Sequence, residues 1–508
     1  MRNRTLHFAL FLIPAFAIAL SAQQAAPRPK VPPMSPAAGI KFGDDMIARG
    51  RYPEAIVAYQ RARLATTDEY QRVRAGAGEV KGILRMAGFQ SAVDEAASLV
   101  ESVPQNPRAI AVLGDALWAA GRFTEAEAAY EKAIGIDPTD SRARHGRGRG
   151  LAARGRLAEG LADVEAAVSV DPREEAYLYS MSEILEQLRR FPEAADALDH
   201  YREVMPDKKQ NNAARWATAQ AALLRGFGTM KPFDIESPGD TFTIPFKIEN
   251  DKVIVQARIN GGQPINVVVD TGAEHTSLTP DVARMARVEP LSVVPTAGIG
   301  ERGVGFRDLQ MGRIDRLEIG PLKARNVTCF IKSPSLTNVP ITETQGFAPL
   351  ALGMSVSIDY ARREMTLARQ LPKEAAGIRL PLRMQRLAMV RGTVNGAFPA
   401  TFIIDTGGEL GLVVSARLAD SLNMDPAVRR IPINVYGTAG RDRTATILPF
   451  VDIVFGLGVG AKQASVAVLN LDAPSFLLGI DIGGIVGHGF LSKYKVTFDL
   501  RSGELALR

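Results

Sequence analysis

Two Asp-Thr-Gly triplets, Asp270-Thr271-Gly272 and Asp405-Thr406-Gly407, sit in segments that match each other position by position. This duplication is the tightest constraint on what the chain can fold into. Asn260-Gly261 and Asn395-Gly396 each precede their Asp by ten residues, counted from the Asn, and Pro264 and Pro399 occupy equivalent places. An apolar run leads into each Asp, Val267-Val268-Val269 or Phe402-Ile403-Ile404, and Glu274 or Glu409 follows at a shared offset. The segment ends match as well: Ile358-Asp359-Tyr360 through Glu364-Met365-Thr366-Leu367 against Phe498-Asp499-Leu500 through Glu504-Leu505-Ala506-Leu507. Such β-branched runs bounded by Gly, Pro or Asn read as strands. Residues 241–372 and 373–508 are therefore expected to form two β lobes of roughly 130 residues each, within the usual size of domains.

Duplication matters for the chemistry of the triplet. A buried apolar strand ending in Asp delivers a carboxylate to the rim of a core, where desolvation disfavours its charge. One such group would only be a weaker acid. Two that face each other share a proton, because both cannot ionise cheaply at contact distance. One then serves as base and the other as acid toward a water attacking a carbonyl carbon. Asp270 and Asp405 are the candidate pair. Thr271 and Thr406 are placed to bond across a pseudo-twofold axis, and Gly272 and Gly407 leave room for close backbone approach.

A different period governs the N-terminal part. Pro104, Pro138, Pro172 and Pro206 recur every 34 residues, each after an amphipathic helical stretch. Gly114, Gly121, Ala126, Tyr130 and Ala133 lead to Pro138, and Gly148, Gly155, Gly160, Val164 and Ala167 lead to Pro172. Small residues at such spacing let two antiparallel helices approach, and the Pro ends the second one. Period and residue types resemble the tetratricopeptide repeat. About five units are expected from residue 38 to 206 in a helical domain over 38–226, with Asn211 to Leu224 as a capping helix and 227–240 as a linker. An array of this kind is either a spacer or a concave surface for a protein partner, and the partner-binding reading is preferred.

At its start the chain has a short basic segment, Met1 to Arg4, then an apolar run from Phe8 to Leu20 and small residues. This is the pattern of a secretory signal peptide over 1–22, with an uncleaved anchor as the alternative. Residues 23–37 read as a flexible leader. The expectation is periplasmic or secreted placement with no membrane span once the signal is removed. A chain of 508 residues calls for two or three domains, and its net charge of +6 is too dispersed to suggest nucleic-acid binding. Cys329, the single cysteine, lies in a strand-like run and is expected to be buried and inert.

The duplicated triplets resemble the aspartic protease superfamily, particularly retroviral-type (retropepsin-like) proteases and their bacterial relatives, over about residues 240 to 508. The resemblance implies an aspartic-type endopeptidase with a paired-Asp site, a peptide or protein substrate, and neither metal nor organic cofactor. It also implies a Gly-rich β-hairpin flap in each lobe, where the plain alternative is an ordinary hairpin turn. The flap candidates are Ala297, Gly298, Ile299 and Gly300 in the first lobe, and Gly437, Thr438, Ala439 and Gly440 in the second. Family lobes carry a later apolar-apolar-Gly segment beside the catalytic loop. The second lobe matches it with Gly484-Ile485-Val486-Gly487 and Phe490-Leu491. In the first lobe, either Ala351-Leu352-Gly353 is the match with a helix missing, or Gly346-Phe347-Ala348-Pro349 is a degraded copy.

Other chemistries find no footing. Among His7, His145, His200, His275 and His488 there is no H-x-x-H or H-E-x-x-H spacing. His275 is expected to be a solvated loop residue, and Glu274 and Glu409 exposed-turn residues without a role. The combined expectation is an all-α tetratricopeptide solenoid followed by an all-β bilobal aspartic-protease fold. Its function would be that of an exported endopeptidase. The rival from another class is a non-catalytic peptide-binding scaffold, and pairing of each lobe with another chain is a third possibility.

Overall fold

The computed structural model describes residues 31–205, 212–298, 305–332, 345–372 and 377–508, less 423, 426, 438, 439 and 457, plus the dipeptide strands Leu6–His7 and Ile13–Pro14. The expected signal segment, apart from those dipeptides, lies outside the described residues. No helix among the described residues is long and apolar enough to cross a membrane.

Helices come in antiparallel pairs: α1 (Pro36–Ala48) with α2 (Tyr52–Ala65), α3 (Glu69–Arg85) with α4 (Phe89–Ser102), and α5 (Pro107–Ala119) with α6 (Phe123–Ile136). Then follow α7 (Ser141–Ala153) with α8 (Leu157–Val170), α9 (Glu175–Gln187) with α10 (Phe191–Val204), and the single α11 (Asn212–Arg225). Ser35, Asp68, Asn106 and Asp140 start the first helix of their pairs by accepting a hydrogen bond from an otherwise orphaned amide. The second helices α4, α6 and α8 stop two residues short of Pro104, Pro138 and Pro172, as the steric demand of proline on its predecessor requires. Small residues at the crossings are obligatory. A Cβ on Gly114 or Gly146 would stand 2.5 or 2.2 Å from the ring of Tyr130.

Each lobe begins with a hairpin whose turn explains the repeated Asn-Gly. Asn260 and Gly261 take φ of 51° and 74°, and Asn395 and Gly396 take 46° and 70°. Those left-handed values suit Asn and Gly and few other residues. The hairpins pair Lys252–Ile259 with Ile265–Val269, and Leu387–Val394 with Phe398–Asp405. Asn260 and Asn395 then clasp the next long strand in the same way, with the amides of Arg316 and Asp452 donating to their side-chain oxygens.

A six-stranded sheet joins the lobes. Its order is Thr241–Pro245, Glu364–Ala368, Ser355–Asp359, Lys495–Asp499, Glu504–Leu507, Ile378–Pro381, and exchange of the lobes maps this order onto itself. The central pairing, Val356 with Phe498 and Ile358 with Val496, is between lobes of one chain.

The array is welded to both lobes. Trp118, Phe123 and Val112 share an apolar core with Leu387, Ile403 and Leu478 of the second lobe. Phe191, Leu198 and Trp216 share another with the first lobe. Burial of each such side chain contributes about 1.5–3 kcal/mol. The intra-repeat turns, with Ala87, Gly121, Gly155 and Arg189 at positive φ, provide the contact points. Arg391 and Thr401 donate to the carbonyl of Gly121, the Asp481 amide donates to Ala119, and Arg189 donates to the carbonyl of Ala351. Gly155 lies so near Leu500 that a Cβ would stand 2.1 Å from its carbonyl oxygen. Cys329 is fully buried, as expected, and burial pushes its thiol up to about 12.

Candidate active site

Strands Ile265–Val269 and Phe398–Asp405 are hydrophobic because neighbours cover them on both sides, and their C-terminal ends converge at the lobe boundary. Asp270 and Asp405 are thereby brought together, 6% and 0% exposed. The threonines lock the two loops reciprocally. Thr271 donates through its hydroxyl to the carbonyl of Ile404 at 3.0 Å, and Thr406 to that of Val269 at 2.7 Å. Each hydroxyl also accepts the backbone amide of the other threonine, at 3.1 and 3.0 Å. Gly272 and Gly407 are indispensable at this distance, since a Cβ on either would fall 2.6 or 2.5 Å from the carboxyl carbon of the opposite Asp.

The loop amides aim at the carboxyls. Gly272 donates to Asp270 Oδ1 at 3.0 Å, and Gly407 and Gly408 donate to Asp405 Oδ1 at 2.8 and 3.2 Å. Burial raises the Asp270 carboxyl to about 6, with the Lys332 ammonium and the Gly272 amide pulling the other way. Burial and the neighbouring charge of Asp270 hold Asp405 well above the usual carboxylate range. Two such groups take up one proton between them, and the proton belongs to the pair.

The alternatives for the first-lobe closing segment are resolved by register. Gly346 and Phe347 run parallel to Val268 and Val269, as Ile485 and Val486 run beside Ile403 and Ile404. Gly346-Phe347-Ala348 is therefore the counterpart of the second-lobe Ile485-Val486-Gly487, and the short helix that follows there, His488–Leu491, is replaced by one 3-10 turn, Pro349–Leu352.

The described residues of both candidate flaps lie in antiparallel strand pairs. Gly298 pairs with Gly305, and Gly437 pairs with Gly440. Ala297 and Gly298 end one strand and Gly440 begins another, whereas Ile299, Gly300, Thr438 and Ala439 lie outside the described residues. Extended N-terminal dipeptides pair with these same hairpins, Ile13–Pro14 with Ala297–Thr296 and Leu6–His7 with Val435–Tyr436.

Three sequence expectations need correction. Glu274 and Glu409 are not exposed: each is 11% exposed and ion-paired to the opposite lobe, Glu274 with Arg386 at 2.9 Å and Glu409 with Lys252 at 3.1 Å. The offset that both acids share after the triplet was the available signal. Nor is His275 solvated. Its Nδ1 lies 2.8 Å from the Thr328 hydroxyl, its ring packs edge-on against Phe330, and burial depresses it to about 3. Two further residues near the carboxyls carry no sequence signal. Lys332 is close enough to Asp270 to act on its charge, and Tyr360, in the turn just after strand Ser355–Asp359, is close enough to Asp405 to feel the charge of that carboxyl.

Comparisons with known proteins agree with this division. Residues 84–141 and 145–207 match the tetratricopeptide repeat family, 255–356 match the gag-polyprotein aspartyl protease family, and 390–488 match a family of aspartyl proteases. Among solved structures, the chain is similar to a thermophilic tetratricopeptide protein of Thermus thermophilus, at 19% identity over 37% of this chain and 100% of that one, with a TM-score of 0.31. It is also similar to YrrB, a tetratricopeptide protein with an unusual peptide-binding site, at 20% identity over 33% and 86%, TM-score 0.21. PilF of Pseudomonas aeruginosa aligns at 18% identity over 38% and 92%, TM-score 0.27. At those scores the likenesses carry no argument about this chain. No curated protein matches.

Proposed function

We propose, for a chain that carries tetratricopeptide repeats and two aspartyl protease domains, that it is an exported aspartic-type endopeptidase. The observation that carries this reading is the reciprocal threonine lock, which holds two buried carboxyls face to face within one chain. With one proton on the pair, the ionised member takes a proton from a water as its oxygen bonds to the peptide carbonyl carbon. The protonated member gives its proton to the carbonyl oxygen. Collapse of the tetrahedral diol breaks the C–N bond: the proton taken from the water passes to the leaving nitrogen, and one diol hydroxyl gives its proton to the other carboxylate as the new carbonyl forms. One water and one peptide bond are consumed, and the pair regains its single proton.

An extended peptide would run beneath the two hairpins, adding its backbone to their edges. The helical array offers a groove of about 1370 Å³ lined by Tyr52, Tyr70, Arg74, Arg108 and Arg173, with Phe476 of the second lobe at its wall. That groove suits a protein partner or a distal part of the substrate. Export rests on the signal-like N-terminus.

The test uses the mature chain and its Asp405→Asn variant against a diverse peptide mixture from pH 3 to 8, with and without a transition-state peptide mimic. Cleavage by the wild type that the mimic blocks and the variant lacks is expected. Absence of cleavage throughout overturns the enzyme reading in favour of the scaffold.

A further inference from the structure

The two catalytic loops are braced differently. In the second lobe, the amides of Gly487 and His488 donate to the carbonyls of Gly411 and Gly408, at 2.8 and 2.9 Å, and helix His488–Leu491 stands behind the loop. The register places Ala348 and Pro349 at the equivalent positions of the first lobe. Pro349 has no N–H to donate. Ala348 donates to a side chain, Thr276 Oγ1, at 3.4 Å, and a single turn ends at Gly353 in a left-handed conformation. By its own residues, the first lobe holds its loop less firmly.

The array fills that place. Arg189, from the turn between α9 and α10, donates to the carbonyl of Ala351 at 2.5 Å, and its guanidinium lies 3.9 Å over the Phe233 ring. From α9, Tyr179 accepts a 3.4 Å hydrogen bond from Arg386 and donates to Glu183 at 2.8 Å. Arg386 in turn holds Glu274, two residues beyond the first triplet, at 2.9 Å. Glu183, Arg189, Thr271, Glu274, Leu350 and Arg386 all line one cavity of about 580 Å³ between array and loop. Charge-assisted, largely buried contacts of this kind resist loop displacement more than their exposed counterparts do. We infer that α9 and the turn after it are the missing brace of the first lobe. Arg189 and Tyr179 are positioning residues for Asp270, and the array is a working part of the site. This rests on the peptidase reading only for its kinetic consequence.

The test compares full-length wild type with Arg189→Met and Tyr179→Phe, using Arg51→Ala, which breaks an ion pair with Glu54 at the start of α2, as a control. Hydrogen exchange followed by mass spectrometry should show residues 268–278 exchanging about tenfold faster in both variants, with 403–411 and the control unchanged. Peptide cleavage should lose about tenfold in kcat while KM stays within about twofold, the sign of a displaced reacting group. Unchanged exchange at 268–278, or an equal rise at 403–411, overturns the inference. If the wild type cleaves nothing, the exchange result still decides the brace, and only the peptidase reading falls. Should Arg189→Met fail to fold, Tyr179→Phe, which removes a single hydroxyl, decides alone.

Discussion

Gly407 of the second lobe faces Asp270 of the first so closely that a Cβ would stand 2.5 Å from the carboxyl carbon. Gly272 faces Asp405 at 2.6 Å in the same way. Either glycine replaced by alanine must push the opposing carboxyl away or spread the two loops. The expected outcome for Gly407→Ala is loss of cleavage by at least about a hundredfold, since misplacement by 1 Å alone costs that much. A destabilisation of about 1–3 kcal/mol should accompany it, as overpacking of a tight core does. Peptide turnover and urea unfolding measure the two effects.

That closeness was legible in the sequence because a single short-range rule sets it: apolar strand, Asp, hydroxyl, Gly, twice at the same spacing. The Asn-Gly turns and the 34-residue proline period were legible for the same reason. Contacts made across the fold were not. Glu274 and Glu409 read as turn residues because Arg386 and Lys252 lie on other segments of the opposite lobe, and nothing local announces that pairing. His275 read as solvated because its partners, Thr328 and Phe330, are distant in sequence. Nor did the helical period reveal which turns would dock on the lobes. Only the tertiary position of Gly121, Gly155 and Arg189 does so.

Thr406 tests the lock. Thr406→Val deletes the hydroxyl that donates to Val269 and accepts from Thr271. It leaves a buried carbonyl and a buried amide without partners, at about 1–3 kcal/mol for each orphaned group. Thr406→Ser keeps both bonds and should retain most of the stability and activity. Equal behaviour of the two variants in denaturant and in turnover would show that the hydroxyl does not carry the contact.

The buried pair also makes stability depend on pH. The Asp270 carboxyl sits at about 6 in the folded chain against a reference value of 3.8, so the folded state binds more protons than the unfolded state between those limits. Stability is then fully present below about pH 4 as far as this group is concerned, and it falls as pH rises through 6. Asp405→Asn removes one of the mutually repelling charges. Its melting temperature should therefore decline less than that of the wild type between pH 5 and 8. A steeper decline in the variant would contradict a shared proton.

Lys332 supplies the last prediction. Burial raises the Asp270 carboxyl, and the Lys332 ammonium is the strongest opposing influence. The same burial depresses Lys332, while Asp270 supports its charge. If catalysis needs one ionised member of the pair, activity rises with pH as the first proton leaves, near 6 in the wild type. Lys332→Met removes the positive charge, so the first proton is held more tightly and the rising limb of kcat/KM moves to higher pH. The variant should lose activity at pH 5.5 and recover most of it at pH 7.5. Lys332→Arg keeps the charge and should leave the limb near its original place. A limb that stays put in Lys332→Met would mean that the ammonium does not act on Asp270 when substrate chemistry begins, and the asymmetry of the pair would then rest on the loop amides alone.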